Sequence, residues 1–245
     1  MTAPSSEVIA QLTPTGVLRA GINMSNFLLV VDKTASGDPI GPSPSLALEI
    51  ANALGVPLKL IGYETPSKVA AAAGKNEWDI GNIGAEPQRA KVMNFTAAYV
   101  EIEATYLVPP ESTIQSVDDV DRPGNNISVS QGSAYGLWLE NNIKQANLKP
   151  VEGGDAAFDA FVNDKMEALA SLRPRLITEA EKMPGSRILD GQFAAVQQAV
   201  GVNLGNDAAY AWLKEFVENA KASGMIEGFI EKHGTQGKLS VAPPA

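Results

Sequence analysis

The chain has 245 residues, 44% hydrophobic and 19% charged, enough to bury about three quarters of its extended surface without a disulfide or metal staple. Its 19 Lys and Arg against 28 Asp and Glu give a net charge of −9, which argues against a nucleic-acid binder or a protein lying on acidic lipid. Cysteine is absent, which excludes thiol catalysis, disulfides and cysteine-ligated metal centres.

Residues 1–16 form a polar lead with neither a basic nor an apolar signal region, and no later run reaches transmembrane length. Residues 17–22 (VLRAGI) read as a short buried strand ending where Asn23, Ser25 and Asn26 begin a loop, and 32–44, rich in Gly, Pro and Ser, read as a turn. From Ser45, the residues Leu46, Leu48, Ile50, Ala53 and Leu54 take helical spacing, with Gly55 as the stop and a second strand at 58–61. This strand, helix, strand order begins a parallel sheet. A helix over 66–73 and a strand over 78–81 follow, running into the glycine-containing loop 82–89, and loops at the carboxyl ends of parallel strands are where such sheets place ligands.

A strand over 104–108 stops at Pro109-Pro110, and the alternation then starts afresh. Residues 127–130 read as a strand followed by Gln131-Gly132-Ser133 and a helix through Leu139; a helix over 156–163, an apolar run over 168–172 and a helix over 174–182 repeat the layout. A strand over 194–202 and an amphipathic helix over 207–222 come next, with Gly224 as a cap and a shorter helix carrying Met225, Ile226, Phe229 and Ile230. Residues 234–245 lack a period and read as a surface tail.

The order of elements resembles the type 2 periplasmic solute-binding proteins, in the polar-amino-acid branch that serves ABC transporters. The likeness runs from about residue 16 to 234. It rests on Gly16-Val17-Leu18-Arg19-Ala20-Gly21 for a G-x-L-R-x-G strand, on 46–55 for a helix ending in L-G, and on Trp78-Asp79-Ile80. Pro87-Gln88-Arg89-Ala90 resembles P-E-R-A, and 94–99 (NFTAAY) resembles D-F-S-x-P-Y. The resemblance implies an α/β fold of two lobes, each with a mixed sheet, joined by two hinge crossings and closing on a solute. Carried onto this chain, the first lobe is 1–108 plus 195–245 and the second 109–194. It also implies a periplasmic protein whose native signal peptide precedes this sequence, a cytoplasmic chain being the other placement.

Arg89 is the first candidate for ligand contact, because a guanidinium is a planar two-donor fork matched to a carboxylate; a surface or interlobe salt bridge is the other reading. Gly132 and Ser133 offer a hydroxyl and backbone N–H groups at a helix mouth, an anion seat that is also an ordinary cap. Phe27 is either an aromatic wall for the ligand or part of a packed core with Leu28, Leu29, Val30 and Val31. Asn26 and Asn82 are amide donors or acceptors, or turn formers, and Gly84 lies in the same loop as Asn82. No metal ligands and no cofactor are expected, and His233, the single histidine, lies far along the chain from the glycine-rich loops.

Three departures from the family pattern bear on the ligand. Gly41-Pro42-Ser43-Pro44-Ser45 lacks the usual acid, and the stretch from Asp79 to Arg89 is two residues shorter than the common form. Where the family's ammonium-binding Asp follows the second-lobe strand, this chain has Leu172 or Arg173, which cannot neutralise a buried ammonium; Arg173 is itself a candidate ligand contact. A carboxylate or dicarboxylate without an ammonium fits better, unless Glu101, Glu103 or Glu167 supplies the missing charge. The reading is a non-enzymatic binder of a small carboxylate-containing solute, partnered with an ABC permease, with no nucleic acid and no insertion into a membrane. A ligand-sensing module for a signalling partner, or a small-acid lyase, are the alternatives.

Overall fold

Strands and helices alternate along the chain in the computed structural model, which describes residues 3–245. In chain order they are α1 (Ser6–Leu12), β1 (Leu18–Asn23), the short pair β2 (Asp32–Lys33) and β3 (Pro39–Ile40), α2 (Pro42–Leu54), β4 (Leu58–Tyr63), α3 (Pro66–Ala71), β5 (Ile80–Gly84), β6 (Met93–Phe95) and β7 (Val100–Val108). Then come β8 (Asn126–Ser130), α4 (Ala134–Asn142), β9 (Asn147–Val151), α5 (Gly154–Asn163), β10 (Ala168–Leu172), α6 (Arg173–Lys182), β11 (Arg187–Ile188), β12 (Ala194–Asn203), α7 (Asp207–Ala222), α8 (Met225–Lys232) and β13 (Ser240–Val241). The chain divides into two units, one taking residues up to Glu101 together with Gln197–Ala245, the other Ile102–Val196. Both passages between units fall inside strands, β7 after Glu101 and β12 after Val196, so the first comes seven residues before the position read from Pro109-Pro110 and the second two residues after the one read at Ala194.

In the first unit β1 lies between β4 and β5 and runs parallel to both, while β12 pairs antiparallel with β5. Gly21 and Gly81 face each other across β1 and β5. A side chain at Gly21 would come within 3.0 Å of the Trp78 ring, so the glycine makes room for that buried indole, whose Nε1–H donates to the Val69 carbonyl at 3.0 Å. Trp78 packs with Val69, Ala72, Ile83 and Met93 on one side of the sheet.

Helix α2 buries Leu46, Ala47, Ile50, Ala51 and Leu54, and each fully buried Leu or Ile contributes about 1.5–3 kcal/mol. It begins at Pro42 instead of Ser45, since proline is tolerated in a first helical turn, and it ends at Gly55 with φ +70°. Leu48, assigned to the apolar face from spacing, is 47% exposed, because the buried stripe follows the i, i+4 row of Leu46, Ile50 and Leu54.

Two motif residues join in this unit. Arg19 donates through Nε (3.0 Å) and Nη2 (2.7 Å) to the two carboxylate oxygens of Asp79, and through Nη1 and Nη2 to the backbone and side-chain oxygens of Asn76. The Arg19 N–H bonds Asp79 Oδ2 while the Asp79 N–H bonds the Arg19 carbonyl. The fork is filled entirely by protein, and the bond to Asp79 holds the Arg19 pKa above its ordinary value.

In the second unit β8 lies between β9 and β10, parallel to both, and β7 pairs antiparallel with β10. Phe158 and Phe161 of α5 pack with Leu107, Leu169 and Leu176. Glu179 of α6, 2% exposed, is neutralised by Arg175 at 3.0 Å and Lys182 at 2.8 Å.

Two local expectations change. The polar lead contains α1, capped by the Ser5 hydroxyl accepting the Val8 N–H. The C-terminal stretch is no loose tail: Thr235, Leu239 and Ala242 are buried, and β13 pairs with the first residues of β7. Helical or alternating patterning is too short in either stretch to register as a period, and neighbouring strands supply the order.

Candidate functional site

In the first unit the loops that follow β1 and β5 carry the candidates. Strand β5 runs on through Asn82 to Gly84, and a tight turn then leads into a 3-10 helix at Arg89–Lys91. The Gly84 carbonyl organises the turn, accepting the Glu86 N–H at 3.1 Å and the Arg89 Nη1–H at 2.7 Å. The Glu86 carbonyl in turn accepts the N–H groups of Arg89 and Ala90, and Ala85 N–H is anchored on Gln197. This is how the shortened stretch between Asp79 and Arg89 closes, and it draws Glu86 and Arg89 into one turn.

Arg89 is 4% exposed, and burial brings its pKa down to about 10, with the Glu86 charge opposing the fall. The guanidinium therefore stays charged at neutral pH. Glu86 is 8% exposed, and burial pushes its carboxyl above the ordinary range, with Arg89 opposing. A buried cation and a buried carboxylate thus sit three residues apart at the carboxyl end of a parallel strand. Sequence reading passed over Glu86; its signal was an acid placed just before Pro87-Gln88-Arg89.

The other first-unit candidates fare differently. Asn82 lies inside the strand, not at its end, and its amide donates to the Ser43 carbonyl (3.2 Å) and hydroxyl (3.1 Å) in the first turn of α2. Asn26 forms a local turn, its Oδ1 accepting the Leu28 N–H at 3.2 Å. Leu28, Leu29 and Val30 are core, whereas Phe27 (40% exposed) and Val31 (38%) leave the packed segment. The first turn of α2 is not an anion seat: Pro42 and Pro44 lack N–H groups, and the Ser43 N–H is spent on the Leu29 carbonyl. His233 is committed to Ser45, its Nε2 lying 2.8 Å from the hydroxyl.

In the second unit Ser133 caps α4, its hydroxyl accepting the Gly136 N–H at 3.0 Å and donating to the Ser130 carbonyl at 2.7 Å. Gly132 before it has φ +67°, and Gly136 is required by close approach, since a side chain there would come within 2.9 Å of the Ser130 carbonyl. Leu172 and Arg173 follow β10. Arg173 donates through Nε to Glu103 at 2.6 Å and through Nη2 to the carbonyls of Leu189 and Gly191. Phe193 lies against the tilted rings of Tyr106 (centroids 4.6 Å apart) and of Trp138 in α4 (5.4 Å).

The acids nominated from sequence as a counter-charge have partners of their own: Glu101 accepts from Gln197 at 2.7 Å, Glu103 from Arg173, and Glu167 from the Asn126 backbone at 2.7 Å.

A family model for the bacterial extracellular solute-binding proteins, family 3, matches residues 18–236. The chain belongs to that family. A glutamine-binding protein of Geobacillus stearothermophilus is 22% identical over 210 residues, covering 82% of this chain and 78% of its own. Among solved structures, a solute receptor for L-cysteine of Neisseria gonorrhoeae is similar with a TM-score of 0.76 at 20% identity, over 96% of this chain and 99% of its own. An ancestral amino acid-binding protein, described as a precursor of cyclohexadienyl dehydratase, has a TM-score of 0.72 at 21% identity, over 91% of this chain and 98% of its own. The fold is that of the type 2 periplasmic binding proteins. No helix among the described residues is long and apolar enough to cross a membrane.

Proposed function

We propose that the protein binds a small carboxylate-containing solute through Arg89 and delivers it to the permease of an ABC transporter, acting in the periplasm. The observation that carries this reading is the buried, protonated guanidinium of Arg89 at the carboxyl end of β5, where burial strengthens a bond to an anion. Family membership supports the transport role, and the relatives named for glutamine and L-cysteine take solutes that carry a carboxylate. Phe27 is assigned the apolar part of the solute, and in the second unit Gly132 and Ser133 are the corresponding polar candidates. Asn26, Asn82 and Gly84 are assigned to holding the first unit's loops in place, and Arg173, bonded to Glu103, to shaping the end of β10. The passages through β7 and β12 are assigned as the hinge.

The test is a thermal-shift screen against L-amino acids, mono- and dicarboxylates, aromatic acids and sulfonates. Specific binding raises stability by mass action, about 2.7 kcal/mol at a hundredfold excess over Kd. A carboxylate-bearing hit should lose about 10- to 150-fold in affinity in Arg89→Ala, the worth of a charge-assisted bond. A hit of unchanged affinity in that variant, or no hit in the panel, overturns the reading.

A further inference from the structure

Glu101 is the last residue of the first unit before the chain leaves it, and Gln197 is the first after the chain returns. These two residues are bonded to each other. Gln197 Nε2–H donates to Glu101 Oε1 at 2.7 Å, a short bond from an amide to a carboxylate, with both residues half-buried. A bond between two long side chains ordinarily contributes little, because fixing their rotamers loses about as much in entropy as the contact gains. Here the backbone on each side is held first. On the Glu101 side, Val100 and Glu101 pair with Val241 and Ser240 of β13, and the Ala242 N–H donates to the Tyr99 carbonyl at 3.2 Å. That C-terminal stretch is itself pinned to α7, where Lys221 Nζ donates to the Pro243 carbonyl at 2.8 Å. On the other side, the Gln197 carbonyl accepts the Ala85 N–H at 2.8 Å, and the Gln198 carbonyl accepts the Tyr99 N–H at 2.8 Å. The side-chain bond therefore ties two strands that are already anchored, at the residues where each leaves the first unit.

We propose that Glu101 and Gln197 are positioning residues for solute capture: their bond makes the two crossings bend as one joint, which lowers the entropy lost when the protein closes on a solute. This rests on the reading of the protein as a solute binder with its hinge in β7 and β12. Two untied strands have more ways to bend than two strands tied at their base, and freedom removed beforehand is not lost again on binding. The bond acts on the solute only through the crossings. Gln197 holds the turn that leads to Arg89 by its backbone carbonyl, which a side-chain substitution leaves in place, and Arg89 bonds the Gly84 carbonyl. Glu101 thus has a role other than the counter-charge considered from sequence. Two consequences separate this role from a solute contact. Loss of the bond shifts the population competent to bind, so it weakens every solute by the same factor. And because the bond needs one amide and one carboxylate, exchanging the two residues restores it.

The experiment compares wild type, Gln197→Glu and the double variant Glu101→Gln with Gln197→Glu, with thermal unfolding as the folding check. Gln197→Glu sets two carboxylates against each other, and the double variant restores one amide donor to one carboxylate with the roles reversed. Hydrogen exchange of the proteins without solute is read first. The amides at Ile102 and Val196, just beyond the bond, should exchange about 10-fold faster in Gln197→Glu and return to the wild-type rate in the double variant, with those of α7 unchanged. Isothermal titration is read second, with each solute that the thermal-shift screen finds. Affinity should fall about 10-fold in Gln197→Glu, by the same factor for every solute, and recover in the double variant. Unchanged exchange in Gln197→Glu, a defect that the double variant does not repair, or a factor that differs from solute to solute overturns the proposal, the last by marking a direct contact with the solute. Binding that responds to Arg89→Ala and not to Gln197→Glu fells the pair alone, whereas a screen without a hit fells the solute reading and the pair together.

Discussion

Two arginines of the first unit, both charged and both withdrawn from solvent, do different work. Arg19 meets a carboxylate through two parallel bonds, and the rest of its fork is taken by Asn76. Arg89 bonds the Gly84 carbonyl of its own turn, and the nearby acid, Glu86, acts on it through its field. What separates a structural arginine from one assigned to a ligand is thus not burial but whether the counter-charge is spent in bonds. A bidentate pair fixes both side chains in one geometry, which Coulomb attraction at a distance does not.

The strongest way to break the comparison is to remove the structural counter-charge. Asp79→Ala leaves Arg19 largely buried beside no carboxylate, and it should cost about 3–5 kcal/mol in urea unfolding with solute affinity per folded molecule unchanged. A loss of affinity as large as the loss of stability would show that the two arginines are not separable.

A smaller and opposite effect is expected at the other pair. Because burial raises the Glu86 pKa in the folded state, the folded protein binds more protons than the unfolded chain in the window above the ordinary carboxylate pKa, so stability falls as pH rises through it. The charged group that acts on Glu86 is Arg89, which opposes the shift. Glu86→Gln removes that titration, so its melting temperature relative to wild type should be higher at pH 8 than at pH 5. Parallel curves for the two proteins would mean that the carboxylate costs the fold nothing.

The smallest effect is expected at a buried polar group that carries no charge at neutral pH. The Tyr99 hydroxyl is fully buried without a partner in hydrogen-bonding geometry; burial pushes its pKa up while the neighbouring Ser43 hydroxyl pulls the other way. Tyr99→Phe should change stability by less than about 1 kcal/mol, since no bond is lost and a desolvation cost is removed. A loss well beyond that in calorimetry would reveal a bond from this hydroxyl that the static geometry lacks.

Much of this was legible along the chain. The period of the apolar residues gives α7 its bounds, Asp207–Ala222, and the strands at β1, β8, β10 and β12 follow from apolar runs closed by polar or glycine punctuation. The short motifs around Arg19, Asp79 and Arg89 led to the family, and the family model covers 18–236. Less legible were features whose cause lies across the sequence. Asn82 looked like the end of a strand because an asparagine favours turns, yet pairing with β1 and β12 carries the strand past it and turns its amide onto Ser43. The C-terminal residues had no period of their own and acquired order from β7.

Sequence by itself determined the alternation of elements, the acidic balance, the absence of thiol chemistry and the motif that marks Arg89, because composition and periodicity are local properties of the chain. Only the tertiary structure decided that Arg19 belongs to Asp79, sixty residues away, and that Glu86 and Arg89 are drawn into one turn closed by the Gly84 carbonyl. Whether a charge is satisfied depends on which atoms the fold brings within about 3 Å of it, and no pattern of residue types along the chain contains that distance.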